Sequence, residues 1–363
     1  MASLNPAPSV MELITKEPLT AVPSKYIRPD QQPIALSHAC GRPLPTVPTI
    51  DMKNLVLGEA THLELEKLHF SCKDWGMFQL VNHGVSFLLL EKLKHEIEGF
   101  FKLPFDEKMK YKIRPGEFEG YGTVVRSENQ KLDWGDKFYT IINPIHRRNP
   151  YLFPELPSSL RNTLEAYFSE LQKLAMTLVV LMGKAVKMEK REMDIIEDGL
   201  QSMRMSYYPP CPQPELVVGL SPHSDATLIT ILHQVNGVGG LQIKKDGVWM
   251  PLNFLPDAFV VNVGDVMEIL SNGAYKSIEH RATVNSEKER ISIAMFFNPK
   301  FEAEIGPATS MLTPQNPPLF KRIGMEEYVK DFFSHNLNGK SHLEKMRIKT
   351  HEEDSTTTTT TTA

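Results

Sequence analysis

From Gln201 onward the chain alternates between short apolar segments and turns, and this pattern constrains the fold more than any other feature. Short segments rich in Val, Ile, Leu and aromatic residues, bounded by Gly, Pro and Asn, are typical of β-strands. The predicted strands are Arg204–Tyr207, Leu216–Gly219, Leu228–Gln234, Leu241–Lys244, Val248–Leu252, Phe259–Val263, Ser277–Val284 and Arg290–Phe297. Strands joined by such turns predict a double-stranded jelly roll, also called a double-stranded β-helix.

The residues before this region predict helices as well as strands. Val47–Asp51 and Met77–Asn82 are predicted strands. Apolar residues at helical spacing predict helices for His62–Trp75 and Phe87–Phe101, and a long helix within Pro154–Lys187 that packs outside the barrel. We therefore expect a mixed α and β fold in which a jelly-roll core carries flanking helices and an N-terminal domain of helices and strands.

Composition shifts divide the chain into six expected parts. These are a partly extended leader (1–45), an N-terminal domain (46–150), connecting helices (151–200), the jelly-roll core (201–300), a C-terminal helical segment (301–350) and a disordered, threonine-rich tail (351–363). Within the leader, Val10–Ile14 predicts the start of a short helix, and Pro23–Pro29 predicts an extended segment on the surface.

Charge and cysteine content exclude several classes of protein. The formal net charge is −4 and no block of Lys or Arg stands out, so nothing suggests a nucleic-acid or anionic membrane partner. Three scattered cysteines are too few for a disulfide framework or a cysteine-rich metal site. No apolar run approaches the ~20 residues of a membrane span, and the N-terminus lacks a signal-peptide pattern. We expect a cytoplasmic monomer that acts on a small molecule.

Residues with metal-binding and carboxylate-binding chemistry lie within the predicted core. Because strand side chains two residues apart share a face, His223 and Asp225 point the same way, as do Arg290 and Ser292. Two histidines and one carboxylate, completed by His280, form the facial triad of non-haem Fe(II) sites. The absence of thiolates argues against structural zinc or an iron–sulfur cluster. A guanidinium beside a hydroxyl suits a second carboxylate, such as the distal end of a dicarboxylic acid.

Each of these residues also has an ordinary structural interpretation. His-x-Asp occurs often by chance, and Arg290 has Glu287 and Glu289 nearby for a surface ion pair. His83, before Gly84, indicates turn packing rather than metal binding. A zinc hydrolase is a further alternative, but an Arg-x-Ser pair in register has no role in it. The complete set favours an iron site.

The chain resembles the plant 2-oxoglutarate/Fe(II)-dependent dioxygenases over roughly residues 45–345. Beyond His-x-Asp, the distant His and Arg-x-Ser, the resemblance includes Tyr207–Pro214, Gly219–Asp225 and Val261–Asp265. Trp75–Val85 resembles the N-terminal domain of the same family, which would occupy 46–150. The branch it resembles most contains the poppy alkaloid O-demethylases and senescence-related relatives.

The resemblance implies the cofactors and the reaction. Fe(II) would bind His223, Asp225 and His280, 2-oxoglutarate would bind Arg290, Ser292 and Tyr208, O₂ would be the oxidant and ascorbate the reductant. The expected reaction oxidises a C–H bond of a small aromatic metabolite of plant specialised metabolism. O-demethylation, which releases formaldehyde from a hemiacetal, and hydroxylation are both open, with alkaloids among the candidate substrates.

Two other outcomes are open on the same scaffold. The first is a hydroxylase or desaturase acting on a flavonoid, a phenylpropanoid or a hormone, since fold alone does not decide function. The second is a jelly roll that binds a small ligand without turnover. Loss of an iron ligand or of Arg290 would favour this second outcome, and neither is lost.

Substrate contacts are expected from side chains that share the face of Arg290 or lie near the cavity mouth. The candidates are Tyr121, Lys137, Tyr139, Arg204 and Phe296. Aromatic groups with two cations suit a planar phenolic or an acidic substrate as well as an alkaloid, whereas an amine would favour a carboxylate that we cannot locate from sequence. The same alternation along the strand puts Ser206 on the inward face, at a position where the family usually has Asn. The effect of this serine on the site is left open.

Overall fold

The structure, a computed structural model, describes residue 7 and residues 9–16, 19–29, 46–57 and 61–349. The expectation of a disordered tail at 351–363 lies outside the described residues, and so does much of the leader. The strands are β1 (Thr49–Asp51), β2 (Met77–Val81), β3 (Gly120–Tyr121), β4 (Asp136–Asn143), β5 (Gln201–Tyr208), β6 (Leu220–His223), β7 (Ile229–Gln234), β8 (Leu241–Lys245), β9 (Val248–Pro251), β10 (Phe259–Val263), β11 (His280–Ala282), β12 (Arg290–Phe297), β13 (Glu304–Ile305) and β14 (Ile323–Gly324).

Helices flank these strands on the N-terminal side, between the two halves of the chain and at the C-terminal end. They are α1 (Val10–Lys16), α2 (Met52–Leu57), α3 (Thr61–Phe70), α4 (Phe87–Phe101), α5 (Phe105–Met109), α6 (Ser158–Val186), α7 (Lys190–Met193), α8 (Asp265–Leu270), α9 (Met325–Ser334) and α10 (Ser341–Met346). None of the described helices combines the length and the apolar character that a membrane span requires.

Two sheets form the core. The larger has the order β1-β2-β10-β7-β12-β5-β4-β3, and the smaller has the order β6-β11-β8-β9. Side chains of both sheets, among them Arg204 and Arg290 from the larger and Leu241 and His280 from the smaller, line one cavity between them. This arrangement confirms the expected jelly roll, with β5 to β12 as its strands. The N-terminal strands β1 and β2 extend the larger sheet on one side, and β3 and β4 extend it on the other.

The long helix α6 packs against the larger sheet at β7 and against α3 and α4. Its buried positions recur at helical spacing, as in Leu160, Leu164, Leu171 and Leu178. The helix ends at Lys187, which adopts the left-handed conformation with φ 65°. The predicted long helix is therefore confirmed, and it covers the outside of the sheet as expected.

Two of the predicted strands differ most in their bounds from the observed ones. The segment predicted at Leu216–Gly219 begins as a 3₁₀ turn, and the strand starts only at Leu220, the first residue with a partner on β11. The strand predicted at Ser277–Val284 is shorter in the structure, His280–Ala282, and its pairing with β6 shifts register within these residues. The pattern after Gly264 gave no signal for α8, which is buried along its whole length.

The leader is packed more tightly than its sequence indicates. Pro23–Pro29 was predicted to be extended and on the surface, but its centre is a 3₁₀ turn whose Tyr26 is buried edge-on against Trp134, with ring centroids 5.2 Å apart. Helix α1, which confirms the predicted helical start, is held at its N-terminus by Asp136. The carboxylate of Asp136 accepts hydrogen bonds from the Ser9 hydroxyl (2.7 Å) and the Val10 N–H (2.9 Å).

Gly76 ends the helical segment formed by α3 and the turn Ser71–Trp75, and it joins this segment to β2. It caps the π-helical turn Ser71–Trp75 with φ 64°. A methyl group at this position would lie 2.1 Å from the carbonyl oxygen of Lys276, so a substitution adds a backbone clash to left-handed strain. Gly84 also has positive φ, 80°, but a methyl group there would meet no atom within 4 Å.

These two glycines provide a matched test of the packing between the N-terminal segment and the core. We predict that Gly76→Ala lowers the free energy of unfolding by about 2–4 kcal/mol, from overpacking added to strain. Gly84→Ala should cost roughly 1 kcal/mol, from left-handed strain alone. Urea denaturation followed by circular dichroism measures both. Equal losses in the two variants would contradict the clash.

Candidate metal centre

Three potential metal ligands converge between the two sheets. His223 is the last residue of β6, Asp225 follows it by two residues, and His280 opens β11 directly opposite His223. One ligand atom from each lies within 4.8 Å of the other two, and all three residues are buried. The Asp225 Oδ1 atom is 3.3 Å from Nε2 of His223 and 3.7 Å from Nε2 of His280.

Backbone carbonyls orient both imidazoles. Nδ1 of His223 lies 2.8 Å from the Ser221 carbonyl oxygen, and Nδ1 of His280 lies 3.1 Å from that of Ile278. When Nδ1 carries the proton and donates it to a carbonyl, Nε2 presents a lone pair, as in metal-bound histidines. Nε2 of His223 is buried and has no hydrogen-bond partner among the described residues. This unsatisfied atom fits a metal ion.

The carboxylate of Asp225 is oriented in a comparable way. Its Oδ2 accepts hydrogen bonds from the Thr230 hydroxyl (2.7 Å) and the Asn262 side-chain amide (2.9 Å). Oδ1 is left facing the two imidazoles. Carboxylate and imidazole ligands without thiolate suit Fe(II), and a facial set of three leaves coordination positions open. The donor set therefore fits ferrous iron.

The protonation states of the buried ligands also suit a metal. Burial raises the pKa of Asp225, but His280, His223 and the Thr230 hydroxyl outweigh it and hold that pKa well below the usual range. Burial, followed by the neighbouring His223, lowers the pKa of His280 to about 4. At neutral pH Asp225 is therefore ionised and His280 is neutral, which are the forms that bind metal ions.

Arg290 and Ser292 lie next to the triad on β12. Arg290 is 2% exposed, and no described carboxylate lies within salt-bridge distance of its guanidinium. Its Nη2 donates to Gln234 Oε1 (2.8 Å), its Nη1 reaches the Ser292 hydroxyl (3.4 Å), and its Nε has no partner among the described residues. The ion pair with Glu287 or Glu289 that the sequence left open is therefore not formed. A buried cation without an anion is costly, so this arrangement favours binding of an external carboxylate.

Tyr208 completes this part of the cavity. It pairs with Arg290 in register across β5 and β12, and the guanidinium lies 5.0 Å from the centroid of its ring. Two glycines leave room for the ring. A methyl group on Gly219 would lie 2.7 Å from Tyr208 Cδ1, and one on Gly135 would lie 2.9 Å from the same atom.

A wider cavity of about 460 Å³ opens from the triad toward the surface. Four of the five predicted substrate contacts line it, namely Lys137, Tyr139, Arg204 and Phe296. Tyr121 does not. It pairs with Phe138, whose face of β4 is opposite to that of Lys137 and Tyr139, and its hydroxyl donates to Asp136 Oδ2 (2.9 Å). The expectation for Tyr121 was wrong because this residue packs on the other side of the sheet.

Several residues at the site were not among the predicted ones. Thr230, Asn262 and Gln234 contact the triad or Arg290. Asn262 lies in the segment Val261–Asp265 that resembles the family, yet nothing in one sequence pairs it with Asp225. The aromatic wall is completed by Phe118 and Phe333, which are stacked with centroids 4.3 Å apart. The adjacent aromatic residues Phe332 and Phe333 of helix α9 are the sequence signal for this wall, and both line the wider cavity.

Models of two protein families match the chain. The 2OG-Fe(II) oxygenase superfamily matches residues 199–299, which include the triad, Tyr208, Arg290 and Ser292. The family described as "non-haem dioxygenase in morphine synthesis N-terminal" matches residues 47–156.

Full-length relatives agree with these matches. Codeine O-demethylase of Papaver somniferum is 50% identical over 94% of this chain and 96% of its own length. Oxoglutarate-dependent flavonoid 7-O-demethylase 1 of Ocimum basilicum is 48% identical over 94% of this chain and 91% of its own length. The crystal structure of JOX2 in complex with 2OG, Fe and JA is 34% identical, with a TM-score of 0.85 over 95% of this chain and 99% of that one.

The hydrogen bond from Thr230 to Asp225 yields a test of the metal centre. We predict that Thr230→Val weakens Mn(II) binding by about 10–100-fold, because partners that orient metal ligands carry an effect of this size. Thr163→Val is the matched control, since Thr163 is also buried but donates to Ser159 on helix α6. Free Mn(II), measured by electron paramagnetic resonance during a titration, gives the affinities. Equal affinities for the two variants would contradict a role of Thr230 in orienting Asp225.

Proposed function

Because the chain belongs to the 2OG-Fe(II) oxygenase superfamily, we propose that its reaction is the O-demethylation of a small aromatic plant metabolite. The chain is a 2-oxoglutarate-dependent dioxygenase that uses Fe(II), 2-oxoglutarate and O₂. One observation carries the residue assignments, namely a buried His–Asp–His cluster beside a buried guanidinium that has no carboxylate partner among the described residues. The choice of O-demethylation is supported by the codeine and flavonoid O-demethylases among its relatives.

His223, Asp225 and His280 hold the iron in this proposal. Their donor atoms would be Nε2, Oδ1 and Nε2, since the other polar atoms of each side chain are engaged with protein partners. When bound, iron together with 2-oxoglutarate and O₂ supplies the oxidising power that breaks a C–H bond and converts 2-oxoglutarate into succinate and carbon dioxide. Thr230 and Asn262 keep Asp225 from rotating, and ascorbate is the proposed reductant that keeps iron ferrous.

Arg290, Ser292 and Tyr208 bind the distal carboxylate of 2-oxoglutarate in this proposal. The guanidinium would donate two parallel hydrogen bonds, and the Ser292 hydroxyl, already 3.4 Å from Nη1, would donate a third. Gln234 anchors the guanidinium from the side by accepting from Nη2. Since Arg290 is buried, the carboxylate would be held where water does not compete for it.

The wider cavity holds the substrate. Tyr139, Phe296 and Phe333 form an aromatic wall, with centroids 6.3 Å apart for Tyr139–Phe296 and 5.5 Å apart for Tyr139–Phe333. The Tyr139 hydroxyl donates a hydrogen bond to the Ser202 hydroxyl, and this contact fixes the orientation of the Tyr139 ring within the aromatic wall. Such a surface suits a planar aromatic molecule and excludes water from its faces. We further propose that the enzyme is a cytoplasmic monomer without nucleic-acid or membrane partners.

Turnover provides the direct test of this function. Purified protein given Fe(II), ascorbate, 2-oxoglutarate and a panel of methoxylated plant phenolics and alkaloids should release succinate and formaldehyde in equal amounts with at least one of them. Mass spectrometry separates loss of a methyl group from gain of an oxygen atom, which would indicate hydroxylation instead. His223→Ala and Asp225→Ala should each abolish turnover, whereas His146→Ala, at an exposed histidine, should not. Undiminished turnover in both triad variants would refute the iron assignment.

The co-substrate assignment predicts a separate effect. Arg290→Lys keeps the positive charge but loses the two parallel donors, so the KM for 2-oxoglutarate should rise roughly tenfold or more. The matched control is Arg148→Lys, since Arg148 pairs with Glu165 away from the site. Succinate release at varied 2-oxoglutarate and saturating substrate measures both. If the KM for 2-oxoglutarate did not change in Arg290→Lys, residues other than Arg290 would have to bind the distal carboxylate.

A further inference from the structure

The charges that line the wider cavity do not balance. Its basic side chains are Arg28, Arg126, Lys131, Lys137 and Arg204, and its acidic side chains, among the described residues, are Asp133 and Asp225. Asp225 belongs to the triad. Asp133 already accepts from Arg28 Nη2 (2.9 Å) and from the Ser221 hydroxyl (2.6 Å). The cavity therefore has an excess of positive charge that its own carboxylates do not neutralise.

Besides the exposed Lys131, three of these cations have no carboxylate partner within salt-bridge distance in the described part of the chain. Arg126 donates to neutral acceptors, the Phe333 carbonyl (2.7 Å) and Asn336 Oδ1 (3.1 Å). Arg204 lies with its guanidinium carbon 5.6 Å from the centroid of the Phe296 ring, and its Nε is buried without a hydrogen bond to a described residue. The ammonium group of Lys137 donates no hydrogen bond to a described residue.

Lys137 and Arg204 lie close enough to act together. On the paired strands β4 and β5, Lys137 is opposite Ser206 and Tyr139 is opposite Arg204, so the two cations are diagonal neighbours on the cavity face. Such neighbours lie roughly 7–8 Å apart, a distance that two long side chains can close around one anion. Burial, then the charges of Arg204 and Arg126, lowers the pKa of Lys137 to about 8 against the opposing effect of Asp133. At pH 7 Lys137 is therefore mostly charged.

We propose that Lys137 and Arg204 bind an anionic group of the substrate, either a carboxylate or the phenolate of an acidic phenol. We also propose that this site selects against protonated amines. The inference rests on the proposed function and specifies its substrate class. Two cations desolvated by aromatic side chains gain most from a charged acceptor. A cationic substrate would meet like charges and would find neither cavity carboxylate free.

This anion site is distinct from the one at Arg290. Arg290, Ser292 and Tyr208 line a small inner cavity with Asp225 and His280 of the triad, and Lys137 is not part of that lining. Arg204 lines both the inner and the wider cavity, so it stands between the co-substrate site and the proposed substrate site. Lys137 is therefore the residue whose substitution reports on the substrate alone.

The test uses three probes of nearly equal shape. They are 3-(4-methoxyphenyl)propanoate, its primary amide and 3-(4-methoxyphenyl)propylamine, which carry a negative, a neutral and a positive group at one end of the same ring. Calorimetric titration at pH 7 into protein loaded with Mn(II) and 2-oxoglutarate measures binding without turnover. We expect the acid to bind about tenfold more tightly than the amide, from one charge-assisted contact, and the amine to bind most weakly.

Substitutions then assign the preference to Lys137. Lys137→Met should weaken binding of the acid about tenfold and change binding of the amide less than about twofold, whereas Lys137→Arg should keep the preference. Lys131→Met is the control, since Lys131 is an exposed cation of the same cavity that donates to the Ser24 carbonyl. Because the amide is measured on the same protein, a loss of folding would weaken both probes and be recognised.

Several results would overturn the inference. These are equal or tighter binding of the amine relative to the acid, no loss of acid binding in Lys137→Met, or no measurable binding of any of the three probes at millimolar concentration. Failure of the proposed function has a different signature, which is absence of succinate release from wild-type protein with Fe(II) across the whole substrate panel. Succinate release together with no charge preference among the probes would refute only the charge-selection site.

Discussion

The pairing of β6 with β11, which sets His280 opposite His223, is the contact on which the rest of the site depends. These residues are far apart in sequence, and the short ladder brings their ring centroids to 4.3 Å. The turn after β6 places Asp225 beside both imidazoles. Thr230 of β7 and Asn262 of β10 donate hydrogen bonds to its Oδ2 atom. The smaller sheet thus supplies the two imidazoles, and the larger sheet orients the carboxylate between them.

Buried charges whose partners, among the described residues, are neutral connect the site to its ligands. Asp225 is ionised beside two histidines, and Arg290 is buried beside neutral partners only. Each arrangement is costly in an empty cavity, and each becomes favourable when an ion of opposite sign binds. In the wider cavity, Lys137 and Arg204 are likewise cations without a carboxylate partner among the described residues. The protein therefore carries three separate places where an external charge is needed, one for a metal cation and two for anions.

Local patterns in the sequence predicted most of this architecture, because His223, His280, Arg290 and Ser292 lie on strands and Asp225 follows a strand by two residues. The period of two along Arg290–Phe297 was enough to put Arg290, Ser292 and Phe296 on one face, and all three line the inner cavity. Contacts across elements were not predictable in the same way. Tyr121, a candidate substrate contact, lies on the face of the sheet away from the wider cavity, and its strand of two residues is too short for alternation to indicate a face. The bonds of Thr230 and Asn262 to Asp225, and the stacking of Phe118 on Phe333, depend on tertiary packing that one sequence does not encode locally.

A crystal structure of the protein grown anaerobically with Fe(II) and 2-oxoglutarate, with anomalous data at the iron edge, tests the central claim most directly. The account predicts a single strong anomalous peak within bonding distance of Nε2 of His223, Oδ1 of Asp225 and Nε2 of His280. It also predicts the distal carboxylate of 2-oxoglutarate on the guanidinium of Arg290. A metal held elsewhere, or a co-substrate whose distal carboxylate lies away from Arg290, would contradict it.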